Sequence, residues 1–517
     1  MRTLRALTAA GAAALLAASG TALAGSSTAA PSPPPAPAPI TGMTVDKAVV
    51  KLEEAINDGM RETGVPGVAV AVVHRDRVVY LKGFGIRKVG EKPVVGPDTV
   101  FQIASLSKPV SSTVVAGTMH DANDWNRRTE LPGFALKDPW VSGHVTTADL
   151  FSHRSGLPDH AGDLLEDLGY DQSYILGHLR YEPLGVFRAS YAYTNFGLTA
   201  AAEAVAREHG TSWQKLSEDT LFKPAGMTRT STEFSDFINS PDHAATHVKN
   251  PDGTWSPRDV RDPDAQAPAG GVSSTARDLA RWMRLQLNGG TLDGKQIIPA
   301  APLERTHLPS IVSAPKNAFG GTTFYGLGWN VRYDQAGRLQ LDHSGAFDLG
   351  ASTSVTLLPL AQLGIVVLTN GAPVGLADAL AADFFDAAEH DGKLQYPDWL
   401  PLYAQVYAQA LDTGRSTTDY AHPPETAKPA RAADTYTGTY DNPYYGELTV
   451  ARDGEVGLVL SLGPKPQHYP LTHYDGDTFS FETRGENAVG RTGVYFSGDT
   501  VRVEYLDATH LGTFTKR

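Results

Sequence analysis

Apolar residues near the start of the chain recur at two different spacings, which predicts both a helix and strands. Between Val45 and Met60 they return every three or four residues, as on one face of a helix. Two continuous apolar runs, residues 68–73 and 78–81, flank a polar turn at residues 75–77. This pair predicts a hairpin whose first strand is buried on both faces.

Farther along, helical segments come first and strand-like runs follow. Residues 195–209 and 279–287 show helical periodicity, and a glycine follows each segment. Residues 351–358 and 363–368 are strand-like runs with a short connection, which predicts an antiparallel pair, and a helix at 376–388 follows. We therefore expect an α+β fold, in which helices flank an antiparallel β-sheet built from both ends of the domain, with a helical subdomain inserted.

Turn-forming and polar residues mark the borders of further regions. Residues 240–268 are rich in Pro, Asp and Asn, which predicts a long surface loop. Residues 412–432 are rich in Thr, Ser, Pro and Ala, which predicts a linker. From 433 to 517, short strand-like runs alternate with hairpin turns, which predicts a small all-β, barrel-like domain. The main α+β domain is accordingly placed at residues 44–411.

The N-terminus resembles a secretory signal peptide. Arg2 and Arg5 precede an Ala/Leu-rich run, and small residues at 22–24 resemble a cleavage site. We therefore predict a signal peptide at residues 1–24 and a protein secreted by this route. Residues 25–43 are rich in Pro, Ala and Ser, which predicts a disordered tether before the folded chain.

Composition narrows the class of protein. The chain has 517 residues, of which 41% are apolar and 20% charged, as in a folded protein with a large core. Its net charge of −13 argues against binding nucleic acid or an anionic membrane surface. The absence of cysteine excludes disulfides, thiolate catalysis and thiolate metal sites. The histidines show no pairing typical of zinc enzymes, so we expect no metal, no cofactor and no stable membrane insertion.

The strongest candidate for chemistry is the pair Ser105 and Lys108, three residues apart where an apolar helical run begins. Side chains at this spacing meet on one face of a helix. A serine hydroxyl becomes a nucleophile when a neighbouring base takes its proton, and a lysine can do so when burial or a cation lowers its pKa. The spacing alone is a weak signal, because it recurs at residues 212–215, beside a helix N-cap, and at 313–316, in a Pro-rich loop.

Two further patterns follow along the chain. Tyr193 and Asn195 stand just before a predicted helix, so their side chains can project from a loop into a cleft. A lysine ammonium beside a tyrosine can loosen the phenol proton, which would make Tyr193 a proton relay. His343, Ser344 and Gly345 precede a predicted strand, and a glycine there lets a substrate backbone approach the strand edge.

In this order, the three motifs resemble those of the penicillin-recognising serine hydrolases, above all the class C β-lactamase-like branch of DD-peptidases, D-aminopeptidases and esterases. The resemblance implies a β-lactamase/transpeptidase-like fold over about residues 45–390 and an enzyme that works through an acyl-enzyme. The tail is similar to the lipocalin-like β module fused to some members. Other stretches similar to this branch lie at residues 150–158, 268–271, 325–329 and 363–370.

The resemblance also implies a catalytic role for each matching residue. Ser105 would be the nucleophile, Lys108 the base that takes its proton, and Tyr193 the relay that protonates the leaving group. The backbone N–H groups of Ser105 and Ala346 would form the oxyanion hole. Such donors are typically worth about 3–4 kcal/mol each in the transition state.

Substrate binding would fall to Asn195, His343, Ser344 and Gly345. By the same resemblance, Asn195 would hydrogen-bond a substrate amide, and His343 would orient Tyr193 or the substrate carboxylate. A lysine is usual in β-lactamases where His343 stands, and a largely neutral histidine grips a carboxylate less firmly. We therefore expect peptides that contain D-residues as substrates, with a carboxylesterase or a weak β-lactamase as the alternatives.

A different hypothesis keeps Ser105 but makes the protein a penicillin-binding acyl trap or sensor without turnover. A dead scaffold would require the loss of Lys108 or Tyr193, and both are present. His153 is expected to be structural. As partners we expect a small peptide, ester or lactam substrate, no nucleic acid, and a homo-oligomer through the C-terminal domain. Four tyrosines of that domain would line a cleft rim or an oligomer contact: Tyr436, Tyr440, Tyr444 and Tyr445.

Overall fold

The computed structural model describes residues 39–258, 260–316, 321–334, 337–396, 398–454 and 457–517. The predicted signal peptide, and all but the last residues of the predicted tether, lie outside the described residues. The first helix begins at Gly42, two residues before the expected domain start. It is set there by a capping box, in which Thr41 and Thr44 each accept a hydrogen bond from the other's backbone N–H.

The helices, as far as the chain is described, are concentrated between residues 107 and 306 and again before residue 413. They are α1 (Gly42–Thr63), α2 (Ser107–Gly117), α3 (Pro139–His144), α4 (Thr147–Phe151), α5 (Asp163–Asp167), α6 (Gln172–His178), α7 (Asn195–Glu208), α8 (Trp213–Ser217), α9 (Lys223–Ala225), α10 (Phe234–Asn239), α11 (Ala267–Gly270), α12 (Ala276–Leu287), α13 (Ala300–Thr306), α14 (Leu376–Glu389) and α15 (Leu400–Asp412). The helices between residues 107 and 306 correspond to the predicted inserted helical part, although α12 packs directly on the main sheet.

The strands fall into two groups. The first group is β1 (Gly67–His74), β2 (Arg77–Gly85), β3 (Phe101–Gln102), β4 (Val248–Lys249), β5 (Trp255–Ser256), β6 (Ser273–Ser274), β7 (Thr291–Leu292), β8 (Lys295–Gln296), β9 (Ile311–Ala314), β10 (Thr323–Tyr325), β11 (Asn330–Tyr333), β12 (Leu339–Phe347), β13 (Ala351–Leu358) and β14 (Leu363–Thr369). The second is β15 (Gly438–Asn442), β16 (Gly446–Asp453), β17 (Gly457–Leu462), β18 (Gln467–Asp475), β19 (Thr478–Glu482), β20 (Arg491–Ser497), β21 (Thr500–Val503) and β22 (Thr513–Lys516).

The main sheet of the described chain has eight strands in the order β2-β1-β14-β13-β12-β11-β10-β9, and all neighbours are antiparallel. The N-terminal hairpin therefore pairs with β14 from the other end of the domain, which confirms the predicted α+β fold. Every residue of β1 is buried, because both faces of the sheet are covered. Val68 and Val70 pack in one core with α1 and α14, while Ala69 and Ala71 pack in another with α2 and α12.

Several elements differ from the sequence-based expectations. The supposed surface loop at 240–268 is partly internal, because Trp255 is buried and its indole N–H donates to the carbonyl of Thr63 at 3.0 Å. The strand predicted after the third motif is β13, as expected, but His343 and Gly345 themselves lie inside β12, which was not predicted. The helix α15 was not predicted. Only Leu400 and Tyr407 of this helix are buried, so it presents little continuous apolar face to the core.

The second group of strands closes into a barrel, β15 to β22, which confirms the predicted small all-β domain. The four tyrosines expected at a rim or oligomer contact are instead at most 3% exposed. Two of them face the main domain: the hydroxyl of Tyr444 accepts from the backbone N–H of Gly162, and the carbonyl of Tyr445 accepts from the hydroxyl of Tyr170. They are therefore packing residues, since large rings fill the barrel and its seam with the main domain.

Candidate active site

Ser105 lies in a single 3-10 turn, Ala104–Leu106, that leads directly into α2. Ala104 has a φ of +49°, in the left-handed region that non-glycine residues rarely adopt. The strand β12 passes so close that a Cβ at Gly345 would lie 2.3 Å from the carbonyl of Ile103 and 3.1 Å from the nitrogen of Ser105. Only glycine permits this approach, so the third motif lies directly against the serine.

Lys108 is completely buried, one turn after Ser105. Its Nζ lies 3.0 Å from Oγ of Ser105, 2.7 Å from Oδ1 of Asn195 and 3.0 Å from the carbonyl oxygen of Ala269. Burial lowers the pKa of Lys108 well below its usual value. A neutral amine has two N–H groups and one lone pair. The two carbonyl oxygens take the N–H groups, which leaves the lone pair directed at the serine hydroxyl.

Tyr193 approaches the same hydroxyl from the other side. Its phenol donates to Oγ of Ser105 at 2.9 Å, and Nζ of Lys108 lies 4.5 Å from the ring centroid. The backbone N–H of Tyr193 donates to Asp159 at 2.8 Å, which holds the loop. Burial raises the pKa of Tyr193, so the prediction that the lysine loosens the phenol proton is wrong. The phenol is neutral and acts as a hydrogen-bond donor.

Asn195, the first residue of α7, connects Lys108 to an acid that the sequence analysis missed. Its Oδ1 faces the lysine, and its amide nitrogen donates to Asp163 at 2.9 Å. Asp163 also contacts the imidazole of His160 at 2.5 Å. Both ends of the Asn195 amide are thus engaged, one by Lys108 and one by Asp163, and its binding of a substrate amide stays a prediction. Nothing in the pattern around Asp163 signalled this contact.

His343 is 1% exposed and lies on the Ser105 side of β12. Its Nδ1 lies 2.7 Å from the carbonyl oxygen of Ser344, so Nδ1 carries the proton and donates there. Its Nε2 then accepts from the hydroxyl of Tyr325 at 3.0 Å. Burial lowers the pKa of His343 to about 3, so the ring is neutral. The ring touches Tyr325, while its centroid stays 6.4 Å from that of Tyr193.

Ser344 was predicted to bind substrate, and the structure contradicts this for its side chain. Successive side chains of a strand point to opposite faces, so Ser344 faces away from Ser105. Its hydroxyl donates to Asp378 of α14 at 2.5 Å, on the other face of the sheet. Ala346, the predicted oxyanion donor, follows Gly345 in β12 and pairs with Ser352 of β13.

His153 packs against the catalytic tyrosine. Its ring centroid lies 4.5 Å from that of Tyr193 and 4.8 Å from that of Tyr325. Its Nδ1 accepts from the backbone N–H of Thr194 at 3.2 Å, and burial lowers its pKa well below the usual value. A neutral ring in these contacts fits the structural role that we expected for it.

The two other Ser-x-x-Lys pairs lie away from this constellation. Ser212 is the N-cap of α8, where it accepts from the backbone N–H of Lys215 at 3.2 Å, as predicted. Ser313 lies in the edge strand β9 rather than in a loop. Only Ser105 therefore combines the spacing with the other two motifs.

The barrel reaches the edge of this site through Glu486. Its carboxylate accepts from the backbone N–H groups of Asp348, at 2.8 Å, and Leu349, at 3.2 Å, in the turn that follows Ala346. It also pairs with Arg261 at 3.1 Å, and Arg261 pairs with Glu166 at 2.5 Å. This buried cluster fixes the barrel against the strand that carries the third motif. The barrel thus borders the site.

An amine with a lowered pKa and a neutral phenol converge here on the hydroxyl oxygen of Ser105. The arrangement of Ser105, Lys108 and Tyr193 can move a proton from Ser105 to Lys108 and another from Tyr193 to a leaving group. That is the chemistry of acyl transfer, with the serine as the group that becomes acylated. Separately, no helix among the described residues is long and apolar enough to cross a membrane.

Comparison with known proteins agrees with this chemistry. A family model described as Beta-lactamase matches residues 52–388, and one described as a domain of unknown function, DUF3471, matches residues 422–509. Penicillin-binding protein 4 of Amycolatopsis lactamdurans is 29% identical over 63% of this chain and 86% of its own length. Unguisins hydrolase ungD of Aspergillus violaceofuscus is 22% identical over 83% of this chain and 82% of its own.

The fold has a solved counterpart. The structure of the octameric penicillin-binding protein homologue from Pyrococcus abyssi superposes with a TM-score of 0.57 at 20% sequence identity. The superposition covers 90% of this chain and 100% of the other. At this identity the match shows the fold alone. It covers more of the chain than the residues matched by the Beta-lactamase family model.

Proposed function

The chain belongs to the beta-lactamase family of serine hydrolases, and from that membership we propose that it hydrolyses amides through an acyl-enzyme on Ser105. The observation that carries the proposal is the position of two proton-transfer groups, Nζ of Lys108 and Oη of Tyr193, both within 3.0 Å of Oγ of Ser105. The lowered pKa of Lys108 favours the unprotonated amine, which is the form that can act as a base.

The proposed reaction has two halves. Lys108 takes the proton of Ser105 while Oγ attacks the substrate carbonyl, and the N–H groups of Ser105 and Ala346 stabilise the negative oxygen. Tyr193 gives its proton to the leaving group, and the base restores it. In the second half, water takes the place of the leaving group and releases the acid.

We propose peptides that contain D-residues as the substrate class, within the class C-like branch. The neutral His343 in the third motif supports this choice over strong β-lactamase activity, because it supplies no positive charge for a substrate carboxylate. Simple esters are the alternative, since they need no protonation of a poor leaving group. The other alternative is a trap that is acylated once and does not turn over. The name of one relative, Penicillin-binding protein 4, supports this alternative.

A substrate panel with the Ser105→Ala variant tests the proposal. Hydrolysis of D-alanyl p-nitroanilide should exceed that of p-nitrophenyl acetate and of a chromogenic cephalosporin, and the variant should lose all three activities. Undiminished turnover by Ser105→Ala would refute the acyl-enzyme. The intact mass after a fluorophosphonate or penicillin pulse separates hydrolase from trap, because a decaying penicillin adduct indicates turnover and a persistent one indicates the trap.

We further propose that residues 1–24 direct export, on the basis of their sequence alone, and that the chain self-associates through its barrel. The octameric state of the Pyrococcus abyssi homologue supports self-association. Mass spectrometry of the protein from the culture medium should show loss of the first 24 residues. Light scattering should give a multiple of the chain mass, and a monomer at micromolar concentration would contradict the association.

A further inference from the structure

A cavity of about 640 Å³ lies on the face of the main sheet opposite Ser105. Its floor is formed by β11, β12 and β13, and its walls by α14 and α15. This volume falls within the range of sites that hold small molecules. No step of the proposed reaction uses it. The lining residues that matter below are Arg332, Ser344, Asp378, Trp399, Tyr403 and Tyr407.

Asp378 is the unusual group in this wall. Its residue is 7% exposed, and its carboxylate accepts from Ser344 at 2.5 Å and from Tyr407 at 2.7 Å. Among the described residues no Lys, Arg or His nitrogen comes within 4.0 Å of it. Arg332 is near enough to feel its charge but forms its ion pair with Asp342.

The other charged groups of the wall already have partners. Arg338 pairs with Asp334 at 2.5 Å and also with Glu389. Asp386 accepts from the backbone N–H groups of Gln395 and Tyr396 at 3.0 Å and lies 2.8 Å from the imidazole of His390. The hydrogen-bond partners of the Asp378 carboxyl are therefore hydroxyl groups, and no cation of the described chain lies beside them. Burial raises its pKa, because an ionised carboxylate without a cation is costly there. A ligand that brings a positive charge would relieve this cost.

Aromatic rings supply the other half of such a site. Tyr403 and Tyr407 of α15 and Trp399, just before that helix, line the same space. The faces of these rings attract cations and also offer apolar surface to a ligand body. A carboxyl group on α14 with aromatic rings on and beside α15 is an arrangement that can recognise an organic ammonium ion.

We propose that this cavity binds a small organic cation, an alkyl or arylalkyl amine, with its ammonium group paired to Asp378 and its body against Tyr403 and Tyr407. Binding also acts on the catalytic strand. Ser344, which bonds Asp378, lies in β12 between His343 and Gly345, and an ammonium competes with Ser344 for the carboxylate. This second step rests on the proposed function, whereas binding does not.

The test of binding is calorimetric titration of the full chain with phenethylamine, and with 2-phenylethanol as the neutral ligand of the same shape. We expect the amine to bind at least tenfold more tightly than the alcohol. Asp378→Asn should weaken amine binding at least tenfold. Ala382→Trp fills the cavity from α14 and should abolish binding. It provides the test if Asp378→Asn does not fold. Asp383→Asn is the matched control, on the same helix but outside the cavity wall.

The catalytic site provides the counter-test. Ser105→Ala and the wild-type protein with a fluorophosphonate on Ser105 should bind the amine unchanged. The proposal is overturned if wild-type protein binds no amine at millimolar concentration, if Ala382→Trp binds as well as wild type, or if labelling Ser105 abolishes binding. The rate of fluorophosphonate labelling should change at least twofold with amine in wild type and not in Ala382→Trp. An unchanged rate would overturn the coupling while binding stands.

Discussion

Lys108 and Arg261 are both cations enclosed by protein, but their surroundings are opposite. Nζ of Lys108 contacts neutral oxygens only, and burial lowers its pKa well below the usual value. Arg261 lies over the ring of Phe347 at 4.6 Å and pairs with Glu166 and Glu486. Burial lowers the pKa of Arg261, but the surrounding acids outweigh burial and raise it.

This difference in surroundings corresponds to two roles, a catalytic base and a structural ion pair. A buried amine without a carboxylate is driven to its neutral form, and a neutral amine is a base. A buried guanidinium with two carboxylates keeps its charge, and the pair holds two domains together. The protein uses the first arrangement under Ser105 and the second between the main domain and the barrel. The same substitution, to methionine, should therefore affect turnover at Lys108 and stability at Arg261.

The largest effect is expected for Lys108→Met. Turnover should fall by about 10³-fold or more, because no other base lies against Ser105. The free energy of unfolding should change by less than about 2 kcal/mol, since the lost bonds to Asn195 and Ala269 are offset by the removal of a poorly solvated amine. Kinetics on the best substrate and urea unfolding measure both quantities. Lys215→Met, at the exposed Ser-x-x-Lys pair, is the control and should change neither.

Arg261→Met should show the reverse. Removing one partner of a buried cluster leaves Glu166 and Glu486 without their cation, which should cost about 3–5 kcal/mol of unfolding free energy. Turnover of the folded fraction should fall far less than in Lys108→Met. Arg277→Met removes a largely exposed pair with Asp98 and should cost about 1 kcal/mol or less. Equal losses in the two arginine variants would contradict the structural role of the cluster.

The pH dependence sharpens the contrast at Lys108. The rate of fluorophosphonate labelling should rise with pH as Lys108 loses its proton, and level off below the usual lysine range. Arg261 contributes to the lowering of this pKa, so Arg261→Met should move the rise to higher pH. Between the lowered pKa and 10.5, the unfolded chain binds the proton that the folded one lacks, so this group makes stability increase with pH. Lys108→Met should remove that increase; an unaltered slope would contradict the assignment.

The smallest effect is expected for Glu486→Gln. Burial raises the pKa of Glu486 to about 8, so between pH 4.5 and 8 the folded chain binds a proton that the unfolded one has lost. This group therefore makes stability fall as pH rises through that window. Glutamine has no such proton, so the stability of the variant, measured by thermal unfolding, should depend less on pH there. A pH dependence equal to that of wild type would contradict this and show that the carboxyl stays ionised in the folded chain across the window.

Much of the fold could be predicted because its signals are local. Helical and alternating periodicity identified α1, α7 and the pair of β13 and β14, since a repeating contact pattern follows from the geometry of each element. Ser105 and Lys108 are three residues apart, so one helical turn brings them together wherever the helix packs. The barrel likewise followed from short strands and hairpin turns.

The face and partner of each polar side chain could not be predicted in the same way. Ser344 stands within the third motif, but only its position in β12 decides that it points to Asp378 and away from Ser105. Asp163 and Glu486 have ordinary neighbours in the sequence, and no periodic pattern marks a carboxylate that will bond a distant segment.

By itself, the amino-acid sequence determined the fold class, the order of the domains and the three motifs, because each of these depends on residues close together in the chain. The tertiary structure alone decided that burial lowers the pKa of Lys108, that the barrel is fastened to the turn after β12, and that Asp378 lines a cavity with no cation of the described chain within 4.0 Å of its carboxylate. The physical reason is that the electrostatic energy of a charged group depends on all the groups that surround it in space. Those surroundings come from segments that meet only when the chain has folded.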